Sequence, residues 1–510
     1  MRVAWVIALL LLLAPFALGQ SDAEPESESP SATSPKDVPP PAGASEDGEP
    51  PAAPPDDGEP STAAPEEEKP AAAQSEEDEP PAPLGREADA AIPLDAAKQK
   101  RAEEAAARSP EAAAREQRKE VETEKRRRVV APDELTLQLR RTDTGFSGLF
   151  KYGPISVLSE ASQKLNDDLE DAIGLRLGVA YTVLWQQATD SIGDGPRGAV
   201  GGDFDFFGRW RLIDTDTTTG QIGFLLENRH SFTDIPPAQL NQSIGSLWRT
   251  TRGFSKFDFT FRELWWDQSL FAGRLHYRIG TINQKHFIDL YRFKSQNFEF
   301  LSSPFSDSPT IAFPRNGFGA MLQFSPFERL HVTGTIGDAN GQNVGSPSQF
   351  FSAGEFFTSL DVAATPVFEG FGEGRYSFTL WRIDEREEAN IPDGHGFSLL
   401  AEQEVVKNVF PFFRYGYGTG ADLKIEHLIV AGVGIQKPFG QPSDSFGVGV
   451  SWGRPSSDAL RDQWGAEIYY RLQLTRAIQI TPGFQVIVNP SANPRDDVIG
   501  VFQLRARVDF

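Results

Sequence analysis

Two-residue alternation in residues 498–510 limits this chain more than any other feature. Phe502, Leu504, Ala506, Val508 and Phe510 fall on one side of an extended strand, and Gln503, Arg505, Arg507 and Asp509 on the other. Successive side chains of a strand point to opposite faces, so the segment has one apolar and one charged face. In a soluble sandwich the apolar face would enter a core. In a membrane barrel it would meet lipid, and the charged face would line a wet lumen.

The pattern recurs from residue 173 onward, punctuated by turn residues. It predicts sixteen strands, near 173–187, 198–213, 219–231, 254–267, 269–282, 315–325, 328–338, 353–365, 373–385, 394–408, 409–419, 424–437, 444–453, 462–475, 476–488 and 498–510. Sixteen strands in 338 residues is about 21 residues each, room for a strand of about 10 plus alternating short turns and longer loops. Phe257, Phe259 and Phe261 oppose Asp258, Thr260 and Arg262. Leu275, Tyr277 and Ile279 oppose Arg274, His276 and Arg278, and Trp464, Ala466, Ile468, Tyr470 and Leu472 oppose Glu467, Tyr469, Arg471 and Gln473. Trp265, Trp266, Trp381, Trp452 and Trp464 near strand ends suit an interfacial girdle. Charges repeated on one face of a closed sheet need water, and a lumen supplies it. The fold class expected is all-β: a 16-stranded antiparallel outer-membrane β-barrel over 173–510, preceded by a disordered Pro/Glu-rich tail and a short helical segment.

Upstream, Arg2, a short apolar run and small residues at Ala17 and Gly19 read as a signal peptide over 1–20. An uncleaved anchor is the other reading, though the run is short for a span. Residues 21–90 hold 16 of the 38 prolines and carry 20 acidic against 3 basic residues, so most of the net charge of −23 belongs to this segment. From Ala17 to Gly145 no aromatic occurs. Such a stretch cannot offset its ordering entropy by burial, so it is expected to be a disordered linker. It would act as a spacer in the periplasm, or as a reach toward peptidoglycan or a basic partner. Residues 91–130, rich in Ala, Glu, Lys and Arg, suit a charged helical segment broken at Pro110, as a solvated helix or an oligomerisation stalk. Residues 131–172 comprise a linker and an amphipathic helix near 155–172 at the barrel mouth, with Leu158, Leu165 and Leu169 at helical spacing.

The long stretch 284–316 lacks alternation but is aromatic-rich, unlike a disordered loop. It would fold into the barrel and narrow it, or pack outside as a lid. The face assignment turns Glu227, Arg229, Arg262, Arg274, Arg278, Glu467, Tyr469, Arg471, Arg505 and Arg507 inward, and Asp289 and Arg292 come from that loop. These twelve are the candidate pore-lining residues, each able to act as a rigidifying ion pair or as a solute contact. Their arginine excess predicts some anion preference. There is no cysteine, which excludes disulfides and lipid attachment at a Cys. The six histidines are scattered, with no metal-ligand spacing, no nucleophile elbow and no phosphate loop. No catalytic residue, metal or cofactor is therefore expected, and nothing supports nucleic-acid binding.

An ordered set of short pieces resembles the OprB-type carbohydrate-selective porins. They are Gly174-Leu-Arg-Leu-Gly178 with Tyr181 and Gly201-Gly202; Glu227-Asn-Arg-His230 with Ile244-Gly-Ser246; Arg262-Glu-Leu-Trp-Trp-Asp-Gln268; Gly273-Arg-Leu275; and Arg278-Ile-Gly-Thr-Ile282 with Asp289, Arg292, Phe298 and Pro309. Near the end come Ala431-Gly-Val-Gly434, Asp444 with Gly447-Val-Gly449, Glu467-Ile-Tyr-Tyr470 with Gln473, Pro482, Gln485 and Asn489-Pro490. The acidic tail and the helical segment depart from the pattern. The resemblance implies a sixteen-stranded sugar channel with a constriction of charged and polar lumen residues. Three functions follow: sugar-biased passive diffusion of monosaccharides such as glucose, general or anion-selective diffusion, and an envelope tether anchored by the barrel. The partners expected are outer-membrane lipid, small sugars and the barrel-assembly machinery through the strand ending at Phe510. Peptidoglycan could meet the tail, and the pore would be a monomer or a homotrimer.

Overall fold

The first and last strands pair with each other. Trp185 faces Leu504 and Thr182 faces Arg507, and Phe510 exchanges two backbone hydrogen bonds with Val179, of 2.9 and 3.2 Å. That pairing closes the sheet. The computed structural model describes Gln138 and residues 148–150, 156–341 and 347–510. The expected signal peptide, acidic linker and charged helical segment lie outside the described residues.

Sixteen antiparallel strands follow in chain order, each bonded to its sequence neighbours. They are β1 (Leu175–Ala188), β2 (Gly198–Asp214), β3 (Thr219–Ser231), β4 (Phe257–Leu270), β5 (Leu275–Ile282), β6 (Gly317–Phe327), β7 (Leu330–Asp338), β8 (Phe356–Ala364), β9 (Gly374–Ile383), β10 (Gly394–Gln403), β11 (Val409–Gly420), β12 (Ile425–Gln436), β13 (Ser445–Pro455), β14 (Gln463–Gln473), β15 (Ile478–Val488) and β16 (Val498–Asp509). A closed sheet leaves no backbone group unpaired in hydrocarbon. The connections differ by end. β2–β3, β4–β5, β6–β7 and β14–β15 turn within a few residues, whereas the β3–β4 loop covers 232–256 and the β5–β6 loop 283–316.

Alternation becomes inside and outside. On β16, Phe502 and Leu504 are exposed outward, 49% and 42%, while Gln503, Arg505 and Arg507 are buried. Phe259, Phe261 and Ile468 are likewise exposed, as a lipid-facing belt requires. Trp452 and Trp464 pair on the outer face, ring centroids 6.5 Å apart.

Two expectations are corrected. Trp265 and Trp381 are each 3% exposed and point inward, so they form no part of a girdle. Phe257 leaves the apolar face of β4: two register shifts against β3, at Leu225/Leu226 and Glu227/Arg229, carry it beneath two guanidinium groups. A bulge inserts one unpaired residue and reverses the alternation on either side of it, which no period-two reading anticipates. The helix α1 (Ser156–Ile173) covers the stretch where one is expected, and it docks by polar groups. Asn166 exchanges two 2.8 Å hydrogen bonds with the backbone of Leu177, and Glu170 meets Arg176, Arg209 and Arg211 at 3.1–3.5 Å. Leu158 and Ile173 remain exposed, 40% and 53%. Among the described residues no helix is long and apolar enough to cross a membrane.

The barrel carries a direct test. Leu504→Arg places a guanidinium on the lipid face of β16 and should destabilise the fold by about 2–4 kcal/mol. Denaturant unfolding in detergent micelles or bilayers measures it, and a loss under about 0.5 kcal/mol would contradict the outward assignment.

Candidate functional site

Inside the barrel the inward side chains of β2, β3, β4 and β16 assemble a charged network. Arg229 Nε lies 3.1 Å from Asp203 Oδ2 and its Nη2 2.5 Å from Glu227 Oε1. The β4 bulge turns Arg262 inward, where its Nε sits 2.9 Å from Glu227 Oε2. Phe257 lies beneath both guanidiniums, at 5.4 and 5.2 Å. Arg507 donates to Thr182 Oγ1 at 2.8 Å and stands 3.6 Å from Asp205. Gln138, from upstream of the barrel, donates to Asp205 Oδ2 at 3.3 Å. Oxygens of Asp203, Asp205 and Glu227 lie within 4.8 Å of one another, a spacing open to a metal ion. Three guanidiniums answer those three carboxylates, so a cation would have to displace them.

Beside this network β4 and β5 build a second one. Asp267 accepts from His276 Nε2 at 2.7 Å and Arg278 Nε at 2.8 Å. The Arg278 guanidinium stacks 3.7 Å from the ring centre of Trp265, whose Nε1 donates to Glu263 at 3.0 Å. Trp265 therefore supports a lumen arginine rather than a membrane interface. Arg274 does not join: it lies in the β4–β5 turn, exposed and outside the strand that was to aim it inward.

The β5–β6 loop folds into the barrel. Its backbone N–H groups of Leu301 and Ser302 donate to the Glu467 carboxylate at 2.9 and 2.8 Å. Glu299 accepts from Tyr469, Arg471 and Ser445 at 2.6–2.7 Å. Arg505 donates to the carbonyls of Gln296 and Glu299. On the other side of the loop Asp289, fully buried with φ 51°, accepts from Ser308, Ser398 and Arg414. A non-glycine residue tolerates that backbone only where its surroundings over-determine it. Arg292 pairs with Glu402 at 3.1 Å and stacks 4.2 Å from the ring centre of Phe410.

Apolar packing completes the anchorage. Phe293, Phe300 and Phe305 of the loop cluster with Phe410, Phe412 and Tyr469 of the wall. Glycine makes the room: a Cβ at Gly434 would strike Phe293, at Gly447 Tyr469 and Phe300, and at Gly449 Phe305. The glycine-rich pieces on β12 and β13 are thus sockets for loop phenylalanines.

The twelve candidates therefore separate. Glu227, Arg229, Arg262 and Arg278 form the wall networks, with Arg507 linking β16 to them. Asp289, Arg292, Glu467, Tyr469, Arg471 and Arg505 hold the loop. Sequence reasoning missed Asp203, Asp205, Asp267, Glu299, Asp307, Glu402 and Arg414. The acids on β2 and β4 sit in alternating strands and were open to the same reading; nothing in the pattern singles out Arg414 or Glu402, whose partners lie over 100 residues away.

Where the β3–β4 and β5–β6 loops meet, Asp307 takes both Arg252 and, at 3.2 Å, Lys285. Burial alone would raise the Asp307 carboxyl, but Arg252, Lys285 and Lys294 outweigh it and hold it below the usual range. Burial, then Arg252, pushes Lys285 down to about 7 against the pull of Asp307. Its side chain is one-fifth exposed.

Two outcomes follow. Lys285 is charged below about pH 7 and neutral above, so anion preference should fall as pH rises from 6 to 8. Zero-current potentials across a planar bilayer read this, and Lys285→Arg, charged throughout, should flatten the step. Glu467→Ala removes the acceptor of two loop N–H groups, each charge-assisted bond being worth about 1.5–3 kcal/mol. It should give noisier, larger single-channel currents and faster proteolysis within 283–316; unchanged currents and cleavage would show that the loop does not depend on this anchor.

Comparison with known proteins places this geometry. A solved structure described as "High pH structure of Pseudomonas putida OprB" superposes with a TM-score of 0.56 at 15% identity, covering 68% of this chain and 96% of that one, a likeness of fold. "Porin AaxA" of Chlamydia pneumoniae is 25% identical over 222 residues, 41% of this chain; the chain spans about half the length of that curated relative. Residues 163–510 match the family described as "Carbohydrate-selective porin, OprB family", and the chain belongs to that family.

Proposed function

We propose that this protein is an outer-membrane porin through which small carbohydrates, including monosaccharides such as glucose, diffuse passively into the periplasm. The observation that carries the reading is the pairing inside the lumen. Arg229, Arg262 and Arg278 each stand against a carboxylate within 3.1 Å and beside an aromatic face. Paired charges largely cancel each other's field at a distance while still offering donors and acceptors to hydroxyl groups. Aromatic faces supply flat apolar surface for the C–H side of a sugar ring. Transport favours several weak contacts over one deep well, because a tight site slows exit. The same pairing weighs against a general anion channel along this wall.

Orientation is part of the proposal. The long-loop end faces the exterior, and the short turns, α1 and the acidic tail lie on the periplasmic side. Residues 21–130 then serve as spacer or as a tether toward peptidoglycan, and β16 presents Phe510 to the assembly machinery. The barrel works as a monomer or as one of three. Channel chemistry of this kind needs no catalytic residue and no cofactor.

Added glucose should reduce ionic conductance through the protein in planar bilayers, with half-effect on the order of 10 mM, the weak regime that permits release. Liposome swelling should run faster with monosaccharides than with amino acids of similar size. Unchanged conductance together with equal swelling rates would leave a general diffusion pore. Deleting 21–130 separates the tether: sugar uptake should persist, and loss of envelope integrity would assign the tail that role.

A further inference from the structure

We propose that the meeting of the β3–β4 and β5–β6 loops forms an oxyanion subsite, built by Arg249, Arg252, Lys285 and Arg315, for a sugar-sized solute bearing a carboxylate or phosphate. The inference rests on the sugar-channel reading and narrows it to acidic sugars at this point of the path.

The cluster departs from the rule that governs the rest of the lumen. Along the wall, guanidinium and carboxylate groups alternate and pair. Here Arg252 and Lys285 hold one carboxylate, Asp307, which is 2% exposed, Arg249 lies within its field, and Arg315 lies within the field of Arg249. Among the described residues neither Arg249 nor Arg315 forms an ion pair, and both are exposed. Lys294, a further cation near Asp307, directs its ammonium to the carbonyl of Asp289 at 2.8 Å.

The loops that carry these residues are fixed. Ser303 N donates to the Arg249 carbonyl at 3.0 Å, tying one loop to the other. Asn316, next to Arg315, donates to the Arg262 carbonyl of β4 at 2.8 Å. Phe313 packs on Phe357 of β8, ring centroids 5.6 Å apart, and lies 5.7 Å from Lys285 Nζ. Arg249 reaches solvent on one side, while the protein packed on its other side, then the field of Arg252, disfavours its charged form, and Arg315 adds to this. Cations held this close repel one another, and an arriving oxyanion relieves that repulsion. Guanidinium groups suit the task because they meet a carboxylate or phosphate through two parallel N–H donors. The position at the long-loop end would gather acidic solutes ahead of the paired wall.

Block of single-channel chloride current tests the site with four probes: glucose, glucuronate, glucose 6-phosphate and acetate. Glucuronate or the sugar phosphate should half-block at about one-tenth of the glucose concentration, the ratio that about 1.4 kcal/mol produces. Acetate should block less than either. Arg249→Ser with Arg315→Ser should bring the ratio of acidic sugar to glucose toward one, and Arg249→Lys should keep most of it. Heat-shifted migration in detergent gels confirms that each variant is a folded barrel. Equal block by glucose and both acidic sugars, or a ratio unmoved by the double substitution, overturns the subsite; acetate matching glucuronate overturns the sugar-sized ligand. Glucose passage is read separately: acidic-sugar block without glucose flux would remove the neutral-sugar channel and leave the anion site standing.

Discussion

Hydrocarbon offers no hydrogen-bond partner, and the structure is an answer to that fact. Each strand must satisfy its backbone on both sides, so β1 and β16 must meet, and the pairing from Ala180/Asp509 to Ala188/Val501 makes them meet. Closure fixes which side chains face out, and alternation sends the others to the lumen. Pro482 lies within β15, where its ring can give no ladder bond, and the β14 ladder is interrupted between Tyr469/Gly483 and Leu472/Ile480. The closed sheet absorbs that gap because its other pairings continue on both sides.

Once the lumen exists, charge must be managed inside it. Buried guanidiniums are tolerated only where carboxylates or carbonyls answer them. The molecule uses two answers. Along β2, β3, β4 and β5 the partners are acids on neighbouring strands, so the wall is rigid and nearly neutral. Along β14 and β16 the partner is the inserted loop, whose backbone occupies Glu467 and Arg505. One set of charges thus pairs within the wall while the other holds the inserted loop. The loop mouth follows neither pattern, and its surplus of cations is what sets it apart.

Much of the barrel was legible because period two is a local property. Every strand expected from alternation is present, and β3 keeps the same limits, 219–231. The failures are local as well. Phe257 sits beyond register shifts, and a bulge depends on the neighbouring strand. Trp265 reads as an interfacial tryptophan by type and place, yet Arg278 and Glu263 claim its ring and its N–H. Arg274 has the right parity but lies past the end of its strand, in the turn. The stripe of α1 predicted the helix and not its docking face, because Asn166 and Glu170 find the edge of β1 and β2 by hydrogen bonds and charge.

By itself the sequence determined the number of strands, their faces and the arginine-rich lumen, since each follows from residues two apart along one chain. Only the tertiary structure decided which charges are spent. Asp289 and Arg414 are 125 residues apart, Leu301 and Glu467 166, and Arg505 and Glu299 206. No local pattern carries such a pairing, because it forms only when the loop between β5 and β6 crosses the interior of a sheet that has already closed.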